Sequence, residues 1–88
     1  MKIKIENLYK NKDENSKLAG VATIILNDSI KINTIKIGRL NGNLFIIMPS
    51  VKIKGEFREV IHPTTSELRA KITNAVLNYW IFIYYWQW

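Results

Sequence analysis

Apolar residues recur with a period of two through the first two thirds of the chain. Ile3 and Ile5 alternate with Lys2, Lys4 and Glu6, the pattern of a half-buried strand. A polar cluster from Lys10 to Ser16 reads as a loop, and the nearly continuous apolar run Leu18 to Leu26 as a more buried strand. Asn27-Asp28 supplies a tight turn. In the next strand Ile30 and Ile32 are even-numbered while Ile35 and Ile37 are odd-numbered. Holding all four on one face requires an extra residue at Asn33-Thr34, which predicts a β-bulge there. Asn41-Gly42 is a hairpin signal. Leu44 to Met48 follows as a short buried strand, Val51 and Ile53 alternate with Lys52 and Lys54 up to a turn at Gly55, and Phe57 to Ile61 is the last short strand.

The periodicity changes near His62-Pro63. Thr64 followed three residues later by Glu67 predicts a capping box at a helix start. Leu68, Ile72, Ala75, Val76 and Tyr79 then fall on one helical face, and Glu67 and Lys71 have the spacing of an i, i+4 ion pair. Strands followed by one helix make the fold class α+β: a small antiparallel β-sheet with a C-terminal α-helix packed on one face.

Length changes the picture first. At 88 residues the chain should form one domain, and so small a domain buries only about 60% of its unfolded surface, which favours a second subunit. The absence of cysteine excludes disulfides, thiolate nucleophiles and cysteine-ligated zinc, and the single histidine leaves little else for a metal. No metal and no cofactor are expected. The net charge of +6 attracts phosphate or anionic membrane, but residues 1–44 carry an excess of four cations and residues 45–88 an excess of two, so no polybasic arm stands out. The N-terminus lacks the apolar core of a signal peptide, which points to the cytoplasm. If the isoleucines face the helix, Lys2, Lys4, Lys31, Lys36, Lys52 and Lys54 form an opposite basic face. That face serves solubility, or it tracks phosphates.

His62 has no serine, cysteine or carboxylate arranged around it for catalysis, and it is expected to bond backbone at the strand-to-helix corner. The glycines are isolated, so no phosphate-cradling loop exists. No enzyme and no small-molecule substrate are expected. From Ile72 onward there is no charge, and seven of the last ten residues are aromatic. The stretch is shorter than the roughly 20 residues that span a bilayer. Tyr79, Trp80, Phe82, Tyr84 and Trp86 are therefore expected to serve packing or a dimer contact, with base stacking and docking at a membrane interface as the alternatives.

Met48-Pro49-Ser50, then Gly55-Glu56-Phe57-Arg58-Glu59, then His62-Pro63 resemble the SpoVG family of bacterial septation and sporulation regulators. The likeness runs back through Ala19-Gly20-Val21-Ala22-Thr23-Ile24, Ile35-Lys36-Ile37 and Asn43-Leu44-Phe45-Ile46, and forward through Ser66-Glu67-Leu68-Arg69 to Ala75-Val76-Leu77. It divides the single domain into a family-like core, residues 1–78, and an aromatic tail, residues 79–88. The resemblance implies a homodimeric regulator that binds DNA, and in some members RNA, in the bacterial cytoplasm. Family members usually carry a basic pair and a Pro-Asp insertion before Gly-Glu-Phe. Here Val51-Lys52-Ile53-Lys54 is one residue shorter, so by position Lys52 and Lys54 replace the pair. Glu59 stands where an aspartate is usual, and the tail is aromatic where relatives are polar.

Lys52, Lys54, Arg58, Arg69 and Lys71 are thus the candidate phosphate contacts. Arg58 and Arg69 have a competing assignment as ion-pair partners of Glu56, Glu59 or Glu67. The competing function is a protein-interaction or oligomerisation module that works through the aromatic tail, without direct nucleic-acid binding.

Overall fold

Six strands precede one helix: β1 (Ile3–Lys10), β2 (Leu18–Leu26), β3 (Ile30–Leu40), β4 (Asn43–Ile47), β5 (Ser50–Ile53), β6 (Glu56–Glu59) and α1 (Ser66–Tyr84). They are seen in a computed structural model that describes residues 1–84. Strands β1 to β4 form an antiparallel meander, and β5 and β6 pair only with each other. The α+β class is as the periodicity implied. The split into two sheets is new, and Pro49 explains it. Proline has no N–H to extend the β4 ladder, and the chain turns there with the Ser50 hydroxyl donating to the Met48 carbonyl at 2.8 Å.

The turns and the bulge follow the sequence closely. Asn27 and Asp28 both have positive φ, as do Asn41 and Gly42, which is the backbone of turns whose twist matches paired strands. Asn27 also exchanges bonds with Lys2, its N–H donating to the Lys2 carbonyl and its Oδ1 accepting from the Lys2 N–H, each at 2.8 Å. Across β2 and β3 the pairs are Ala22 with Ile35 and Ile24 with Ile32, so Asn33 and Thr34 together oppose Thr23. The Thr23 hydroxyl donates to the Asn33 carbonyl at 2.9 Å and satisfies a group the bulge removes from the ladder. Two further bulges lie outside that expectation. Glu6 is the extra residue between Ile5 and Asn7 of β1, and Ala19 the extra one between Leu18 and Gly20 of β2. The first lets Leu8 rejoin Ile3 and Ile5 against the core.

The helix covers the face formed by Gly20, Ala22, Ile24, Leu26, Ile32, Ile35 and Ile37. It buries Ile72, Val76 and Trp80 there, with Leu68, Leu77 and Tyr84 half-buried around them. The inward row therefore ends on Trp80 (1% exposed), while Tyr79, expected on that face, is exposed. An i, i+4 ladder from Leu68 tilts the seam one residue past the one the sequence suggested. Trp80 lies directly over Gly20, where an added Cβ would stand 2.6 Å from the indole Cζ3 and closer still to the Tyr9 carbonyl.

The cap is also displaced by one residue. The Leu68 N–H donates to Thr65 Oγ1 at 3.1 Å, which makes Thr65 rather than Thr64 the N-cap. Glu67 then falls one position short of the capping box, though its charge still suits the first turn. The expected Glu67–Lys71 pair is absent among the described residues, because the Lys71 ammonium donates to the Met1 carbonyl instead. At the other end of the helix Lys10 Nζ sits 5.3 Å from the centroid of the Tyr84 ring. The helix thus runs from the Met1 end of β1 to its Lys10 end.

The β5–β6 hairpin is fastened to this body at its base. The Val60 N–H donates to the Pro49 carbonyl at 2.8 Å, and Arg69 of α1 grips Glu59 with two nitrogens, Nη2 to Oε1 at 2.8 Å and Nη1 to Oε2 at 3.3 Å. The hydrogen bond from Arg69 holds the Glu59 carboxyl below its ordinary value. The opposing effect of partial desolvation is smaller, and the charges of Arg69 and His62 add to the lowering. His62 itself is exposed and makes no hydrogen bond among the described residues, contrary to the backbone bond expected of it.

Two outcomes are expected. Gly20→Ala should lower stability by about 1–3 kcal/mol, since the added methyl must displace Trp80 or the Tyr9 backbone; an unchanged urea midpoint would show that the sheet yields freely at that point. The Glu59–Arg69 bridge should stabilise fully at pH above the ordinary glutamate value of 4.5 and be lost as pH falls through the lower folded value. Glu59→Gln should therefore show a shallower loss of stability on acidification below pH 4.5 than the parent, as read by melting temperature against pH. Parallel curves would count against the bridge.

Candidate nucleic-acid interface

In a two-stranded antiparallel hairpin, directly opposed residues share a face and successive residues alternate between faces. Val51 opposes Arg58 and Lys52 opposes Phe57. Lys52 and Phe57 therefore lie on one face and Arg58 on the other, so the hairpin separates two of the cations that the sequence grouped. Lys52 Nζ is 5.8 Å from the Phe57 ring centroid, within reach of a cation–π contact. All eight strand residues of the hairpin are exposed.

Lys54 lies at the tip, in a turn with Gly55, and both have positive φ, 50° and 83°. Glycine tolerates this conformation, whereas a lysine in the left-handed region costs on the order of 1–2 kcal/mol and Asn or Asp is usual there. The chain carries a cation where turn chemistry favours a short polar side chain. Strain of this kind is a pointer to function.

The remaining candidates are engaged within the chain. Arg58 Nη2 is 3.6 Å from Glu56 Oε2, with both side chains largely exposed; such a pair is weak and easily exchanged for another anion. Arg69 is committed to Glu59, and that contact raises its own pKa. Lys71, bonded at Met1 and like-charged, holds the Met1 amino group below its ordinary value. Both arginines thus have the intramolecular acids that competed for them in the sequence. Lys52 and Lys54 have no carboxylate partner among the described residues.

The six-lysine face does not exist as a single surface. Lys4, Lys31 and Lys36 share the outer face of the meander, but Lys31 is bridged to Glu6 at 2.7 Å across β2. Lys2 pairs with Asp28 at 3.2 Å, and Lys52 and Lys54 belong to the hairpin. What the sequence did not single out is the junction. Lys36, Ile47, Met48, Ser50 and Phe57 line a cavity of about 370 Å³ between the outer face of the meander and the hairpin. Its signal in the sequence is the Met48-Pro49 break, which is a family motif and also the corner between two sheets.

The aromatic residues divide as well. Trp80 and Tyr84 pack on each other within the chain, with ring centroids 4.7 Å apart. Tyr79 and Phe82 are exposed, Phe82 at 62%, and Trp86 lies outside the described residues. Among the described residues no three acidic or histidine side chains cluster as metal ligands, and no helix is long and apolar enough to cross a membrane.

The family model of SpoVG matches residues 1–81. Among relatives named "Putative septation protein SpoVG", that of Desulforudis audaxviator is 37% identical over 66 residues, covering 74% of this chain and 75% of that protein. The one from Phytoplasma australiense is 41% identical over 64 residues, 72% of this chain and 67% of that protein. The Bacillus subtilis protein is 38% identical over 63 residues, 70% of this chain and 65% of that protein. With the motif residues lodged at the meander-to-hairpin corner and at the helix start, and the match running through nearly all of the described strands and helix, the chain belongs to the SpoVG family.

Proposed function

We propose that this protein is a non-enzymatic, dimeric regulator that binds nucleic acid in the bacterial cytoplasm and acts in septation or in the gene regulation connected with it. The observation that carries the reading is the hairpin: fully exposed, fastened only at its base, and presenting Lys52 and the strained Lys54 without carboxylate partners among the described residues on a chain of net charge +6. Such a projection can approach a phosphate backbone without disturbing the core. Each lysine that meets a phosphate releases condensed counterions, so affinity comes largely from charge. Arg58 joins them if a phosphate displaces Glu56. Arg69 and Lys71 contribute to the surrounding potential and to holding the hairpin and the N-terminus in place. The septation link comes from the names of the relatives.

The dimer rests on exposed apolar surface. Val51, Ile53, Val60 and Ile61 of the hairpin region and Tyr79, Ile81 and Phe82 of the helix are all exposed, which offers apolar surface for a second copy to cover. Burying part of it against a second copy also supplies the stability that a two-stranded hairpin lacks alone.

Replacing Lys52 and Lys54 together by alanine should leave the melting temperature nearly unchanged, since alanine keeps the backbone strain at position 54, and weaken DNA binding. It should also make the slope of log affinity against log salt shallower by about 2. Unchanged affinity and slope would assign both lysines to a solvated surface. Sedimentation at micromolar concentration should give twice the 10.3 kDa chain mass, whereas a clean monomer would remove the dimer.

A further inference from the structure

Phe57 is the most exposed large apolar side chain among the described residues, at 77%, and takes no part in the core. An isolated exposed phenylalanine needs no explanation, but the surroundings of this one are specific. It lines the cavity at the junction of meander and hairpin, with Lys36 and Ser50 as the polar members of the lining and no carboxylate among them. Lys52 flanks the ring from the opposed strand. Neither Lys36 nor Lys52 has a salt-bridge partner among the described residues. Ile47, directly opposite Lys36 across β3 and β4, and Met48 close the apolar side of the cavity.

We infer that this junction is a seat for an unpaired nucleobase, with Phe57 as the stacking surface and Lys36 and Lys52 receiving the adjoining phosphates, so that the protein prefers single-stranded nucleic acid to duplex. The inference rests on the nucleic-acid reading above and narrows it. A flat ring beside two free cations is the combination that single-strand binders use, because every base offers a π-face whatever its identity. A duplex keeps its bases stacked internally and offers Phe57 nothing to stack on, while its phosphates remain available to the lysines. Phe57 therefore separates the two substrates and the lysines do not. The alternative occupant, a second copy of the chain, is disfavoured by charge. A two-fold contact through this patch sets the same patch against itself, bringing Lys36 and Lys52 against their own counterparts.

The test uses the full chain at fixed salt, with fluorescence anisotropy on labelled oligothymidine and on a labelled DNA duplex of equal length, and sedimentation of each variant. Phe57→Leu keeps an apolar side chain and removes the ring. It should lower the ratio of single-strand to duplex affinity on the order of 10- to 100-fold, with unchanged mass, and Phe57→Tyr should restore the ratio. Lys36→Ala should weaken both probes by similar factors. An unaltered ratio in Phe57→Leu, with both probes still bound, overturns the base seat and leaves the nucleic-acid reading standing. A fall in mass or melting temperature in Phe57→Leu makes Phe57 a contact between copies and also overturns it. A parent protein that binds neither probe removes the nucleic-acid reading itself, and the base seat with it.

Discussion

The seating of Trp80 on Gly20 is the contact on which the remaining architecture depends. Glycine at this position of the central strand lets the indole approach the backbone, and Ala22 beside it keeps the trough shallow. The burial has a cost, roughly 1–3 kcal/mol, since the indole Nε1–H has no acceptor among the described residues. Against that, a tryptophan buries roughly 150–250 Å², worth about 4–6 kcal/mol at about 25 cal/mol per Å². The apolar term wins, and the orphaned donor is tolerated. With Trp80 in place, Val76 and Ile72 follow one turn apart, Tyr84 closes over the indole, and Lys71 arrives at the start of β1. One large side chain thereby sets the register of the whole helix.

Charge is organised by a different rule. Five cations are matched to nearby acids: Lys2 with Asp28, Lys10 with Glu14, Lys31 with Glu6, Arg58 with Glu56 and Arg69 with Glu59. Arg39 donates to the Glu14 carbonyl and Lys71 to that of Met1. Those two carbonyl bonds cancel no charge, so the positive excess is spread over Arg39 and Lys71 together with Lys4, Lys12, Lys17, Lys36, Lys52 and Lys54, none of which has a salt-bridge partner among the described residues. The net charge therefore overstates how many cations are free at any one place. Around the hairpin, unpaired lysines coincide with exposed aromatic and aliphatic surface.

Much of the meander was legible because its side chains carry contrast. Isoleucine against lysine marks faces plainly, and the parity change between Ile32 and Ile35 locates a bulge. The same change between Ile5 and Leu8 marks the Glu6 bulge, beyond the short alternation that identified β1. The Ala19 bulge was hidden, since Ala19 and Gly20 have too little side chain to reveal a face. In the helix, contrast fails beyond Ile72: with no charged residue on any side, Tyr79 and Trp80 compete equally for the inward position. Packing decided between them, because only the row through Trp80 meets the glycine. Thr64 and Thr65 posed the same ambiguity at the cap. Pairing of cations was legible as a set of alternatives, because ion pairs depend on how β6 meets α1 and on no local pattern.

Pro49 does more than end a strand. By detaching the hairpin from the ladder it leaves an element whose eight strand residues contribute nothing to the buried core. Apart from Glu59, which Arg69 of the helix grips, substitutions there leave untouched the packing of the meander and helix, whose stability selection must keep above a threshold. Recognition and folding can thus diversify independently. A shortened Val51-Lys52-Ile53-Lys54 segment and a lysine in a turn position that favours asparagine are the kinds of change that such an arrangement allows a lineage to explore without risking the fold.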